Sequence, residues 1–228
     1  MDMEMEMEME MKAIPSKNST TATNGIRAEN VLCSQEDIKI CLEAYFGLPI
    51  KSLTRITGKK FDIKVVFENG TETTIQNKDG NVGGRGFSVD RRKVENYNDE
   101  QLMILLNTLC LKQGTEKPVI SDNISKNVIN MCILGHIEED SPKYFTHTTS
   151  NKQTGKIISL SICTIETLMT FMYDALYKDM LPKRTCLHLS PNCYLQRKGG
   201  KDTRPNDIQM KFIFTQQIEK LFTPLYKP

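Results

Sequence analysis

From Phe61 to Phe67 the chain alternates: Phe61, Ile63, Val65 and Phe67 are apolar, and Asp62, Lys64 and Val66 fall between them. This is the period-two pattern of a strand with one face in a core. Glu68-Asn69-Gly70 then suits a three-residue hairpin loop, a type I turn with Gly70 in the left-handed conformation of a bulge. In that register Phe67 faces Thr71, Ile63 faces Ile75 and Asp62 faces Gln76, so Asp62, Gln76 and Lys78 share one face. A two-residue Asn69-Gly70 turn would slip the pairing by one and set Gln76 and Lys78 opposite Ile63 on the apolar side. The longer loop is preferred because it sends Ile75 to the core and the two polar residues away from it.

Upstream, Ser34-Gln35-Glu36-Asp37 reads as a helix N-cap with an acidic first turn, followed by Ile38, Cys41, Leu42, Tyr45 and Phe46 at helical spacing. Gly47 and Pro49 end that helix. Downstream the pattern predicts helices over 98–111, closed by Gly114, and over 125–134, closed by Gly135. A strand is expected over 156–162. Thr164 opens a helix carrying Leu168, Met169, Phe171, Met172, Ala175 and Leu176, with Pro182 as its limit. Three more strands are expected over 185–189, 193–197 and 207–214. Together these helices and strands read as one α/β domain.

Asp62, then Gln76-Asn77-Lys78 across a hairpin, resembles the PD-(D/E)XK nuclease superfamily in its Gln-x-Lys variant, with the size and layout of a type II restriction endonuclease. The resemblance covers residues 34 to 93. It implies a restriction-endonuclease-like mixed β-sheet flanked by helices, here with a C-terminal β region, and magnesium-dependent hydrolysis of the phosphodiester bonds of double-stranded DNA. By position, Asp62 would bind the metal, Gln76 would complete its shell, and Lys78 would orient the water and stabilise developing charge. The family also places an acid on the helix before the catalytic strand, which Glu43 or Glu36 would supply, with Glu43 preferred. Phe61 stands where the motif has Pro, and Gln76 removes one negative charge, so metal binding would lean on Asp62 and on another acid. The chemistry asks for such groups in any case: an anionic diester repels hydroxide until a hard cation neutralises it and positions the water. Read without the resemblance, the same hairpin is an ordinary one with a wet face.

After Lys78, the run from Asp79 to Lys93 sets three glycines around Arg85 and adds Arg91, Arg92 and Lys93. Backbone amides in such a loop approach phosphates closely, and Arg85 is the best single candidate for a phosphate or guanine contact. The spacing is not that of a P-loop. A second basic segment, Gln196-Arg197-Lys198-Gly199-Gly200-Lys201-Asp202-Thr203-Arg204, reads as a hairpin loop suited to a groove or to phosphates. Gln196, Arg197, Lys198, Lys201 and Arg204 join Arg85, Arg91 and Arg92 as the expected DNA-binding set. Gln196-x-Lys198 and Gln209-x-Lys211 repeat the catalytic spacing, but neither has a strand acid at hairpin distance.

Charge changes the picture only after one subtraction. The 228-residue chain carries +2, yet Asp2, Glu4, Glu6, Glu8 and Glu10 alternate with methionine at the N-terminus, and without those five acids the rest carries +7. A basic body suits a polyanionic partner. Residues 1–33 read as a disordered low-complexity tail, and residues 34–228 as one nuclease domain with recognition elements near 183–214. Seven cysteines without C-x-x-C spacing point to packing thiols in a reducing, intracellular compartment. The three histidines lack metal-ligand spacing, which disfavours zinc. No stretch has the length of a membrane span. A palindromic site would call for a homodimer, although a monomer can carry the same chemistry.

Overall fold

The computed structural model describes residues 17–80, 87–93, 122–135, 137–151, 154–177, 181–183, 186–198 and 207–227, with backbone alone for 17–24, 87–93, 122–125, 181–183, 197–198 and 207–208. The order is α1 (Lys17–Ser34), α2 (Glu36–Phe46), β1 (Ile50–Arg55), β2 (Ile63–Phe67), β3 (Glu72–Asp79), β4 (Phe87–Lys93), α3 (Asp122–Ile133), a 3-10 turn (Glu138–Asp140), β5 (Tyr144–Ser150), β6 (Ile157–Thr164), α4 (Ile165–Asp174), β7 (Leu181–Lys183), β8 (Cys186–Ser190), β9 (Cys193–Lys198), β10 (Asp207–Phe212), α5 (Gln216–Glu219) and β11 (Thr223–Tyr226). The helix expected over 98–111 lies outside the described residues.

A six-stranded sheet runs β1-β2-β3-β5-β6-β11, and a five-stranded sheet runs β4-β10-β9-β8-β7. The first is mixed: β3 and β5 are parallel, while the other pairs are antiparallel. Parallel neighbours need a crossover, and here the intervening chain supplies β4 and α3. The expected architecture, a mixed sheet flanked by helices with a C-terminal β region, is present.

Alternation along the strands splits the core in two. Ile63, Val65, Phe67 and Ile75 pack on one face of the six-stranded sheet against Leu32, Ile38 and Leu42 from α1 and α2. Phe145 on the opposite face joins α3, α4 and the inner face of the second sheet, through Leu187, Leu195, Met210 and Phe212. A layer of helices, the six-stranded sheet and the second sheet therefore stack in turn, and each strand face that reads as apolar has a partner.

Three local expectations are corrected. Residues up to 33 were expected to be a disordered tail, but α1 begins at Lys17, and Ala28 and Leu32 are buried. Ser34 ends α1 rather than capping α2; Gln35 takes the N-cap position, and its Oε1 accepts the Ile157 amide at 3.3 Å. The segment 87–93 is a strand paired with β10 rather than part of a loop. Its mixed charges hide a strand whose alternation is broken by a bulge opposite Met210 and Lys211. Thr164 does cap α4, accepting the Thr167 amide, though the helix stops at Asp174, short of Pro182.

None of the six described cysteines is in a disulfide. Burial pushes the Cys163 thiol up to about 12, as befits a packing residue rather than a nucleophile. No helix among the described residues is long and apolar enough to cross a membrane.

Candidate active site

The hairpin holds the register that its loop dictates. Gly70 is left-handed at φ 84°, its amide donates to the Phe67 carbonyl, and Ile63 pairs with Ile75. Asp62 sits in a bend immediately before β2. Its backbone is pinned from both sides: its amide donates to the Ile75 carbonyl at 2.9 Å, and its carbonyl accepts from the Ile56 amide at 2.8 Å. Behind it, Lys60 Nζ donates to the Cys132 carbonyl at 2.8 Å, and Lys59 pairs with Asp140 at 2.7 Å, so the approach to Asp62 is tied to the end of α3 and the turn after it.

From that bend the Asp62 carboxylate reaches β3. Oδ2 accepts the Asn77 amide at 2.8 Å and lies 3.6 Å from Lys78 Nζ. The two side chains are 23% and 18% exposed, open enough to meet a solute and covered enough to strengthen their attraction. Gln76 neighbours them on β3 and is 3% exposed, with an Oε1 that has no hydrogen-bond partner among the described residues. An amide oxygen buried without a donor costs about 1–3 kcal/mol, so it needs a reason.

Glu43 does not take part. Its Oε1 accepts the Ile50 amide at 2.7 Å, with Lys39 one turn away at 3.9 Å, so it closes the turn between α2 and β1. Glu36 is exposed in the first turn of α2. The helix acid that reaches the site is Glu29, from α1. Its Oε2 accepts Arg55 Nε at 2.6 Å, and its carboxyl feels the charges of both Asp62 and Lys78. Burial holds that carboxyl above its usual range, Arg55 opposes the shift, Asp62 adds to it, and Lys78 lowers it. The one signal in the sequence was Ala28 and Leu32 at helical spacing, too short a stripe to stand out from the polar run before it. The site therefore gathers at one end of the β1-β2-β3 meander: Arg55 from β1, Asp62 before β2, Gln76 and Lys78 from β3, and Glu29 from the covering helix.

Two features behind the site were also missed by sequence reading. Asn77, between Gln76 and Lys78, is buried: its Oδ1 accepts Thr146 Oγ1 at 2.9 Å and its Nδ2 reaches Thr148 Oγ1 at 3.3 Å. Asp79 accepts from Thr148 and Ser150, so a polar ladder locks β3 to β5 in parallel register. His147 pairs with Lys78 in that register, stacks on Phe214 at 3.9 Å between ring centroids, and hydrogen-bonds the Gly80 backbone.

Of the expected DNA-binding set, Arg85, Lys201 and Arg204 lie outside the described residues. Arg91 and Arg92 are on β4, and Gln196, Arg197 and Lys198 are on β9; both strands flank β10. The rival Gln209-x-Lys211 is on β10, where Gln209 pairs with Arg91 and Gln196, so no acid faces it across the ladder. Among the described residues no group of three Asp, Glu, His or Cys could by itself hold a metal ion.

No protein-family model and no curated protein matches this chain. Among solved structures, the restriction endonuclease MspI in complex with its cognate DNA is similar, with 14% identity and a TM-score of 0.46 over 86% of this chain and 88% of that one.

Proposed function

We propose that the protein is a magnesium-dependent endonuclease that hydrolyses phosphodiester bonds of double-stranded DNA, sequence-specific in the manner of a type II restriction enzyme. The observation that carries this reading is the contact of Asp62 with Lys78 at 3.6 Å, two residues along the strand from Gln76, whose buried amide oxygen has no hydrogen-bond partner among the described residues; the resemblance to the PD-(D/E)XK superfamily calls for these three residues. Magnesium takes oxygen ligands and keeps several waters, so a carboxylate, an amide oxygen and waters make an adequate shell. The buried Oε1 of Gln76 fits that use, because a cation would satisfy the acceptor that the protein leaves bare.

A bound magnesium ion would neutralise the scissile phosphate and acidify a water. Asp62 and Gln76 would hold it, and Glu29 would add a carboxylate at the edge of the shell. Lys78, kept close by Asp62, orients the attacking water and stabilises charge on the phosphoryl oxygens as the bond to the leaving oxygen breaks. Arg55 keeps Glu29 turned toward the site.

The substitution of an amide for the second acid, and the lack of a three-acid cluster among the described residues, favour one rival: a DNA-binding protein that keeps the fold without cutting. Incubating the protein with several long duplexes, with magnesium or with chelator, beside Lys78→Ala, separates the two. Discrete fragments that need both magnesium and Lys78 are expected, and fragments with neither would refute the active site. A structure-directed or repair nuclease would instead cut branched or damaged duplexes without a fixed sequence.

A further inference from the structure

The second sheet has one apolar face and one polar face, and the polar face is unclaimed by the site above. Leu187, Leu189, Cys193, Leu195, Met210 and Phe212 are all buried against the core. The residues between them therefore belong to the other face. Register lines these up in rows. One row crosses all five strands: Lys183, Cys186, Gln196, Gln209 and Arg91. The bulge in β4 leaves Ser88 opposite Lys211 and Arg91 opposite Gln209, so both β4 residues fall on this face. The row beside it sets Lys198 and Lys93 on either side of Asp207, and the row on the other side carries Tyr194 and Lys211, with His188 stacked on Tyr194 at 5.1 Å between centroids.

We propose that this face is a duplex-DNA platform, in which cations at the edges hold phosphates and Gln196 at the centre reads base edges, with the buried Gln209 packed beside it. This deepens the reading of the protein as one that acts on DNA. Lys183, Lys198, Lys211, Arg91 and Lys93 share the face with Asp207 alone among acids at these register positions. The five-strand row spans four interstrand spacings, roughly 19 Å, comparable to the width of a duplex. Arginine and glutamine are the side chains that pair bidentately with guanine and adenine edges in the major groove. Neither basic segment makes this surface alone: residues 91–93 and 196–198 meet only because β10 enters between them. Arg92 and Arg197 fall at positions of the opposite face, alongside Ile208, which separates them from the set.

The test measures binding apart from cutting, by anisotropy of a labelled 30-base-pair duplex and of its single strand, in chelator, with Lys78→Ala protein. Arg91→Gln with Lys198→Gln should weaken duplex binding at least tenfold and reduce the slope of log affinity against log salt by about 2, since each lost phosphate contact removes about 0.9. Lys64→Gln, on the other sheet, should leave the slope unchanged. Gln196→Ala should alter the bases selected from a randomised duplex pool. If the double variant does not fold, by circular dichroism and melting, each single variant should remove a slope of about 1. An unchanged slope in folded variants, tighter binding of the single strand than of the duplex, or no DNA binding at all would each overturn the platform. Intact binding that fails in these variants, together with no cleavage by the unsubstituted protein, would uphold the platform and refute the nuclease.

Discussion

Glu29 and Glu43 have the same side chain on consecutive helices and opposite fates. Glu43 spends its carboxylate on the Ile50 amide, a bond that orders the turn into β1. Glu29 is held by Arg55 within reach of the field of Asp62 and Lys78. Under the proposed chemistry Glu29→Gln should cut cleavage by about tenfold or more while duplex binding persists, because a charge is lost at the metal and none at the DNA surface. Glu43→Gln should keep cleavage and cost about 1 kcal/mol of stability at most, the usual worth of one such hydrogen bond. Equal activity of Glu29→Gln and unsubstituted protein in single-turnover cleavage would remove Glu29 from the site. The contrast shows what was legible at this scale. Asp62, Gln76 and Lys78 were found because one hairpin joins them, and a hairpin is a local object. Glu29 comes from 33 residues earlier, through packing that no local pattern encodes.

At the scale of elements, legibility follows the loop. Three residues between Phe67 and Thr71, with Gly70 left-handed, fix the register that brings Asp62 to the Asn77 amide and to Lys78. A Cβ at Gly70 would meet nothing within 4 Å, so Gly70→Ala costs only the backbone penalty of a left-handed alanine, about 1 kcal/mol. Urea denaturation should show that loss with cleavage intact; a loss of activity exceeding the loss of folded protein would mean that the loop does more than set register. The elements that escaped were those whose pattern is diluted. α1 carries few apolar residues, and its burial rests on Ala28 and Leu32 meeting a sheet face already built by β2 and β3. β4 reads as a basic run until β10 supplies its partner, and β5 hides because three polar residues are buried on it: Thr146 and Thr148 bond Asn77 and Asp79, and His147 bonds the Gly80 backbone. Hydrophobic periodicity finds strands that bury carbon; it is silent on strands that bury paired polar groups.

Across the whole molecule, the two sheets touch near the site at His147 and Phe214. The imidazole of β5 lies flat on a ring just beyond β10, at an interplanar angle of 12°, and pairs across the ladder with Lys78. Burial lowers its pKa from 6.5 to about 4, with the Gly80 hydrogen bond opposing the shift. The folded state thus holds His147 neutral where the unfolded chain would protonate it. Between pH 6.5 and about 4 the unfolded state binds more protons, so stability is fully present above pH 6.5 and falls as the pH drops through that window. The loss should reach about 2 kcal/mol by pH 5 and about 3 kcal/mol once the folded form also titrates. His147→Phe keeps an aromatic on Phe214 and removes the titration; it should cost about 1 kcal/mol at pH 7.5 for the Gly80 bond and lose this part of the pH dependence. Urea denaturation of both proteins at pH 7.5 and pH 5 decides it, and an identical pH dependence in the two would place the acid-sensitive contact elsewhere. Protonation at this stack would loosen the joint between β5, the strand paired with the one that carries Lys78, and the sheet proposed to hold DNA, so binding and cutting should weaken together as the pH falls, and His147→Phe should separate that loss from the titration of the site itself.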